Sequence, residues 1–148
     1  MSAPQTNIAQ YDVVIAGGGM VGLSLALTLA AKHVTKPLTI LVVDQSPYLN
    51  KPERNTGVSL QYHESFDARS TALSMSSIEH YQDIGVYDLL SAHAEPIKQI
   101  HVSDRGHIGS TLLDHDEIGV DAFGCVIENH WLGKVLLQKT ADYSNISL

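Results

Sequence analysis

The chain has 148 residues, long enough for a domain with a real core, and its 44% hydrophobic and 17% charged content is that of a globular protein. A formal net charge of −7 with nine scattered Lys and Arg excludes the clustered basic surface that nucleic acid demands. The single cysteine, Cys125, excludes an internal disulfide framework, suits a reducing compartment such as the cytoplasm, and lies in an apolar run as a buried small residue would.

Residues 1–9 read as a polar, frayed end. An apolar strand over 11–16 runs into Gly17-Gly18-Gly19, and a helix opens at about Met20 and runs to about residue 33. Val13 to Ala31 is a 19-residue stretch without a charge, but its four glycines and the lack of a preceding Lys or Arg argue against a membrane span or signal peptide. The helix is apolar nearly all round, with Leu23, Leu25, Leu27 and Leu29 beside Ala26 and Ala30, which predicts burial between layers. Residues 32–37 turn the chain into a second strand, 38–43, which ends at Asp44; a right-handed crossover makes the two strands parallel.

Glycines 17, 19 and 22 thus fit G-x-G-x-x-G in the strand–turn–helix context that gives the pattern a mechanism. Gly17 permits the sharp turn, Gly19 lets the backbone approach a pyrophosphate, and Gly22 lets the helix pack closely on the strand. The helix N-terminus at Met20 offers free N–H groups and a partial positive charge to phosphates. Asp44 follows Gly22 at close to the roughly 20-residue interval of a ribose-binding acid. Together they predict a dinucleotide site.

Residues 45–66 hold Pro47, Asn50, Pro52, Asn55 and Gly57 and read as a long loop. A helix is expected from Asp67 or Ala68 to Ile84, with Ala68, Thr71, Ala72, Met75 and Ile78 in one stripe and Gly85 as its stop. A short helix follows over 86–92, so that 67–92 is read as helical. From Ile97 the period changes. Strands over 97–102, 108–113 and 123–127, with turns at 103–106 and 114–119, predict an antiparallel section inserted into the nucleotide-binding unit. A last helix over 129–142 carries Leu132, Val135 and Leu136 on one face, and Asn129 stands where an N-cap would. Residues 144–148 open another strand.

Asp104 and Arg105 read as a local ion pair in a hairpin turn. His107, Asp114, His115, Asp116 and Glu117 lack a recognised metal-ligand spacing and read as a solvated acidic turn, so no metal site is expected. The remaining histidines are dispersed, and no catalytic residue is assigned.

The glycine turn, Asp44, Phe66-Asp-Ala-Arg69-Ser-Thr-Ala-Leu73 and His101-Val-Ser-Asp-Arg-Gly106 together make the chain resemble the 2-octaprenyl-6-methoxyphenol hydroxylase family. These are FAD-dependent aromatic monooxygenases of ubiquinone biosynthesis, related in fold to p-hydroxybenzoate hydroxylase. The resemblance implies an α/β fold: a Rossmann-like FAD-binding βαβ unit with an inserted antiparallel β section. It implies FAD as cofactor, NAD(P)H as reductant, O2 as oxidant and a polyprenylated phenol as substrate. Gly17, Gly19, Met20 and Gly22 would cradle the FAD pyrophosphate, Asp44 would hold the adenosine ribose, and Arg69 and Asn129 would also touch the cofactor. Family members are longer, carry a later Gly-Asp segment for FAD and add a substrate-binding sheet. The chain therefore reads as a truncated N-terminal part, inactive alone, of a protein with peripheral inner-membrane or biosynthetic-complex association. The alternatives are an NAD(P)-dependent Rossmann dehydrogenase and a non-catalytic nucleotide-binding module. Against the dehydrogenase, a loop, a helix and an antiparallel section stand where further βαβ units would repeat.

Overall fold

The computed structural model describes residues 9–31, 37–45 and 67–148. Almost all of the expected 1–9 frayed end, of the 32–37 link and of the 45–66 loop lies outside the described residues. The chain divides into two units, residues 1–61 with 136–148, and residues 62–135, the division falling inside the last helix.

In the first unit, β1 (Val13–Ala16) leads through the glycine turn into α1 (Met20–Ala31), and β2 (Ile40–Val43) follows. β1 and β2 are parallel, with Val13 opposite Ile40 and Ala16 opposite Val43. At the strand entrance Asp12 fastens the pair, its carboxylate accepting from Thr39 N–H at 2.8 Å and Thr39 Oγ1 at 2.7 Å. On the other side of β2 lies β8 (Ile146–Ser147), also parallel, completing the order β1-β2-β8.

Alternation along the strands puts Ile15, Ile40 and Val42 on one buried face. Leu23, Ala26 and Leu27, which share one face of α1 at i, i+3 and i+4, are fully buried too. The expectation that α1 is enclosed all round is corrected here. Val21 is 85% and Leu25 47% exposed. The buried stripe meets one sheet layer, and no second layer of this unit covers the far side among the described residues.

In the second unit, β3 (Ser70–Ser74) runs into α2 (Met75–Asp83) and α3 (Tyr87–Ser91), and the short β4 (Glu95–Pro96) follows. The helix expected from 67 therefore begins only at Met75. Residues 70–74 are a strand because Gly124–Glu128, which forms β7, pairs antiparallel with all five of them, Leu73 opposite Cys125. Of the expected helical stripe, Ala68, Ala72 and Met75 are exposed, Thr71 is half-buried and Ile78 is buried, while Leu73, outside that stripe, is buried. Ser74 caps the new helix, accepting from Ser77 N–H at 3.4 Å. Gly85 stops it as expected, in the left-handed region at φ +65°, with Val86 N–H returning to Tyr81 C=O at 2.8 Å.

β7 is the centre of the sheet β3-β7-β4. Its buried Cys125 and Ile127 share a core with Leu73, Ile78, Tyr81, Ile84, Val86, Leu90, Leu132 and Val135. Burial pushes the Cys125 thiol above its usual pKa. The inserted antiparallel section is a separate hairpin, β5 (Gln99–Ser103) with β6 (Ser110–Asp114), every residue of β5 being exposed. The turn expected at 114–119 holds a one-turn helix, α4 (His115–Ile118), capped by the Asp114 carboxylate and closed by Gly119 at φ +77°. The last helix, α5, is Asn129–Thr140.

Candidate cofactor-binding site

The glycine turn is built by three backbone constraints. Gly17 turns at φ +110°, a conformation that favours glycine, and its N–H donates to Val43 C=O at 2.7 Å across the ends of β1 and β2. Gly18 N–H donates to Asp44 Oδ2 at 2.6 Å, a charge-assisted bond that ties the end of β2 to the turn. Gly19 C=O accepts the Leu23 N–H at 3.0 Å, opening α1. Gly18 was missed in the sequence, although its position between two motif glycines was a signal.

Two of the glycines serve opposite spatial ends. A Cβ on Gly22 would stand 1.9 Å from Gly17 C=O and 3.4 Å from Ile15 Cγ2, so only glycine permits this helix–strand approach. A Cβ on Gly17 would meet nothing within 4 Å. The outer side of the turn is open, and a depression of about 370 Å³ lies there, lined by Ala16, Gly17, Val43, Asp44 and Gln45. An open turn with N–H donors at a helix N-terminus, beside a carboxylate, offers donors for phosphate and an acceptor for hydroxyl groups. The residues fit one end of a dinucleotide.

Arg69 and Asn129 belong to the second unit. The Arg69 side chain is 79% exposed, and its Nε donates to Asp67 Oδ2 at 2.5 Å. Asn129 is buried, at 5% exposure, and its side chain reaches across to the β3 side instead of capping its own helix. Its Oδ1 accepts from Thr71 Oγ1 at 2.5 Å and its Nδ2 donates to Asp67 Oδ1 at 3.2 Å. The Asp67 carboxyl is held below its usual pKa first by the Arg69 backbone N–H, then by the Arg69 and Asn129 side-chain donors and the Arg69 charge, with desolvation opposing.

The acidic turn does draw ligand-capable atoms of Asp114, His115 and Asp116 within 4.8 Å of one another. Asp114 is engaged as a helix cap, by Gln99 Nε2 at 2.7 Å and Asp116 N–H at 3.0 Å, and His115 Nδ1 lies 2.9 Å from Val120 C=O. Asp104 pairs with His107 at 2.8 Å, not with Arg105, and both partners are more than three-quarters exposed, where such a pair contributes little.

The fold is similar to one part of several solved monooxygenases. p-Nitrophenol 4-monooxygenase PnpA from Pseudomonas putida DLL-E4 matches with a TM-score of 0.62 at 18% identity, over 90% of this chain and 30% of that one. The flavin-dependent monooxygenase PieE, solved with FAD and substrate, gives 0.62 at 20% identity, over 97% of this chain and 24% of its own. Aklavinone-11 hydroxylase, solved with FAD and aklavinone, gives 0.59 at 20% identity, over 94% of this chain and 25% of that one.

In sequence, the chain is similar over most of its length to ubiquinone-biosynthesis monooxygenases. It is 28% identical over 145 residues to ubiquinone biosynthesis monooxygenase COQ6, mitochondrial, of Dictyostelium discoideum, covering 93% of this chain and 28% of that protein. It is 31% identical over 130 residues to the ubiquinone hydroxylase UbiL of Rhodospirillum rubrum, covering 86% of this chain and 26% of that protein. The chain thus spans between a quarter and three tenths of the length of these relatives. No protein-family model matches it. Among the described residues no helix is long and apolar enough to cross a membrane.

Proposed function

We propose that this chain is the FAD-binding portion of a flavin-dependent monooxygenase that hydroxylates a polyprenylated phenol in ubiquinone biosynthesis, with NAD(P)H as reductant. The observation that carries the reading is the open glycine turn with the Asp44 carboxylate on Gly18 N–H. The relatives' names supply the pathway and the oxygen chemistry.

When bound, FAD supplies the redox chemistry, accepting hydride from the nicotinamide and activating O2. The chain's own part is binding and orientation. Gly17 keeps the approach to the turn free of side chain and Gly22 holds α1 hard against β1, so that Gly19 and Met20, at the opening of that helix, would hold the pyrophosphate. Asp44, which braces the turn through Gly18, would accept from the adenosine ribose. Arg69, with an exposed forked guanidinium, and Asn129 join the cofactor contacts on the strength of the family resemblance. The polyprenyl substrate places the protein at a membrane surface or in a biosynthetic complex.

An antiparallel sheet, β3-β7-β4, follows β2 where a dehydrogenase would repeat βαβ units, which favours the monooxygenase over the NAD(P)-dependent alternative. The test is turnover of the natural full-length protein with NADPH or NADH, a short-chain polyprenylphenol and isotopically labelled O2. Label in a hydroxylated phenol is expected. Reductant oxidation without phenol hydroxylation, or product oxygen derived from water, contradicts the reading.

A further inference from the structure

The second unit holds a polar clasp that the site residues do not by themselves explain. Asp67 Oδ1 accepts both the Arg69 N–H, at 3.0 Å, and the Asn129 Nδ2, at 3.2 Å, while Oδ2 takes the Arg69 Nε–H at 2.5 Å. Asn129 answers with its own N–H on Arg69 C=O at 2.9 Å and with Oδ1 on the Thr71 hydroxyl. The start of β3 and the start of α5 are therefore locked through one carboxylate whose side chain is 19% exposed.

The arginine it grips is 79% exposed and held only through Nε. Its Nη groups have no hydrogen-bond partner among the described residues. A guanidinium anchored at Nε presents its Nη pair as a fixed fork, the geometry that takes a phosphate or carboxylate through two parallel bonds. A purely structural ion pair would gain nothing from leaving that edge outward.

From this geometry we infer that Asp67 is a positioning residue, which holds the Arg69 fork ready for a phosphate group of the cofactor. The inference rests on the proposed FAD function for its ligand. Asp67 itself touches no cofactor and acts through Arg69. Two consequences oppose each other in sign. A carboxylate beside Arg69 weakens the local positive field, so removing its charge alone would tighten phosphate binding. Removing the anchor frees a side chain that must then be immobilised on binding, at about 0.5–1.5 kcal/mol, or roughly a 2- to 10-fold loss of affinity. With Arg69 largely exposed and the field screened by solvent, loss of the anchor dominates.

The experiment is a double-mutant cycle on FAD binding by the natural full-length protein, with Asp67→Asn, Arg69→Ala and the pair, and with riboflavin as the ligand without phosphates. Asp67→Asn is expected to weaken FAD binding about 2- to 10-fold, to leave riboflavin unchanged, and to add nothing once Arg69 is alanine. Tighter FAD binding by Asp67→Asn, equal loss for FAD and riboflavin, or full additivity with Arg69→Ala overturns the inference while the FAD function stands. If the wild-type protein takes up no FAD, the function fails first. The positioning claim is then decided by NMR of the Arg69 Nε–H in the cofactor-free protein. A slowly exchanging, shifted resonance that Asp67→Asn abolishes supports it, and one identical in both proteins overturns it.

Discussion

Replacing Gly22 by alanine tests the packing on which the proposed cofactor cradle depends. The new Cβ would lie 1.9 Å from the Gly17 carbonyl oxygen, so backbone must move by about 1.1 Å to reach the 3.0 Å below which such contacts essentially do not occur. The turn has little slack for this. Gly17 N–H is bound to Val43, Gly18 N–H to Asp44, and Gly19 C=O to Leu23, so opening the gap sacrifices a strand-end bond, a charge-assisted bond or the first bond of α1. Overpacking costs about 1–3 kcal/mol and a lost bond to a charged group about 1.5–3, against a gain of about 1 from alanine's helix propensity, leaving a net loss of roughly 1.5–5 kcal/mol. Amide hydrogen exchange along β1 and β2 reads this locally, whereas the single tryptophan, Trp131, reports only on the other unit. Protection there should fall about 10- to 4,000-fold, at tenfold per 1.4 kcal/mol. Gly119→Ala is the control, because its left-handed φ of +77° carries strain of about 1–2 kcal/mol but no clash. Protection of β1 and β2 unchanged in Gly22→Ala would refute the packing argument.

Asp44→Ala removes the brace on Gly18 and the proposed ribose acceptor together, and FAD affinity of the full-length protein should fall roughly 10- to 100-fold by titration. Gly19→Val should reduce FAD uptake by filling the approach to the pyrophosphate, and unchanged affinity would show that the phosphates lie elsewhere. Cys125, 3% exposed and with its thiol pKa raised by burial, should react with iodoacetamide only upon unfolding; rapid alkylation of the native chain at neutral pH would contradict its place in β7. Asp67 has a depressed folded pKa, so the clasp stabilises the native state above the unfolded carboxylate pKa and is lost as pH falls through the folded value. Carboxyl NMR of Asp67 should therefore titrate more acidically than an unstructured aspartate, and a midpoint at or above the ordinary carboxylate value would refute the clasp.

The βαβ start was readable because everything that fixes it is local. Strand, glycine turn, helix and acid fall within 34 residues, and each glycine has its own backbone reason, from Gly17 at φ +110° to Gly22 against Gly17 C=O. β3 was hidden because its determinant is distant. Ser70–Ser74 becomes a strand by pairing with Gly124–Glu128, while Ala68, Thr71, Ala72 and Met75 mimic a helical stripe along the chain itself. Asp67 was overlooked for the same reason, since its amide donor Asn129 is 62 positions away. The Asp-Ala-Arg order within Phe66–Leu73 was the one local sign, an aspartate two residues before an arginine, the spacing of an Asx turn. Asn129 read locally as a helix cap, and only the approach of Thr71 redirects its side chain.

The proposed role of the glycine turn and Asp44 is to hold FAD. Its most direct measurement is titration of the natural full-length protein with FAD, wild type beside Asp44→Ala, followed by flavin absorbance and fluorescence. Saturable, stoichiometric uptake by the wild type is expected, with at least tenfold weaker binding by the variant, the lower bound for losing one hydrogen bond to a charged group. A wild-type protein that stays colourless in excess FAD, or an Asp44→Ala variant that binds FAD as tightly as the wild type, would contradict it.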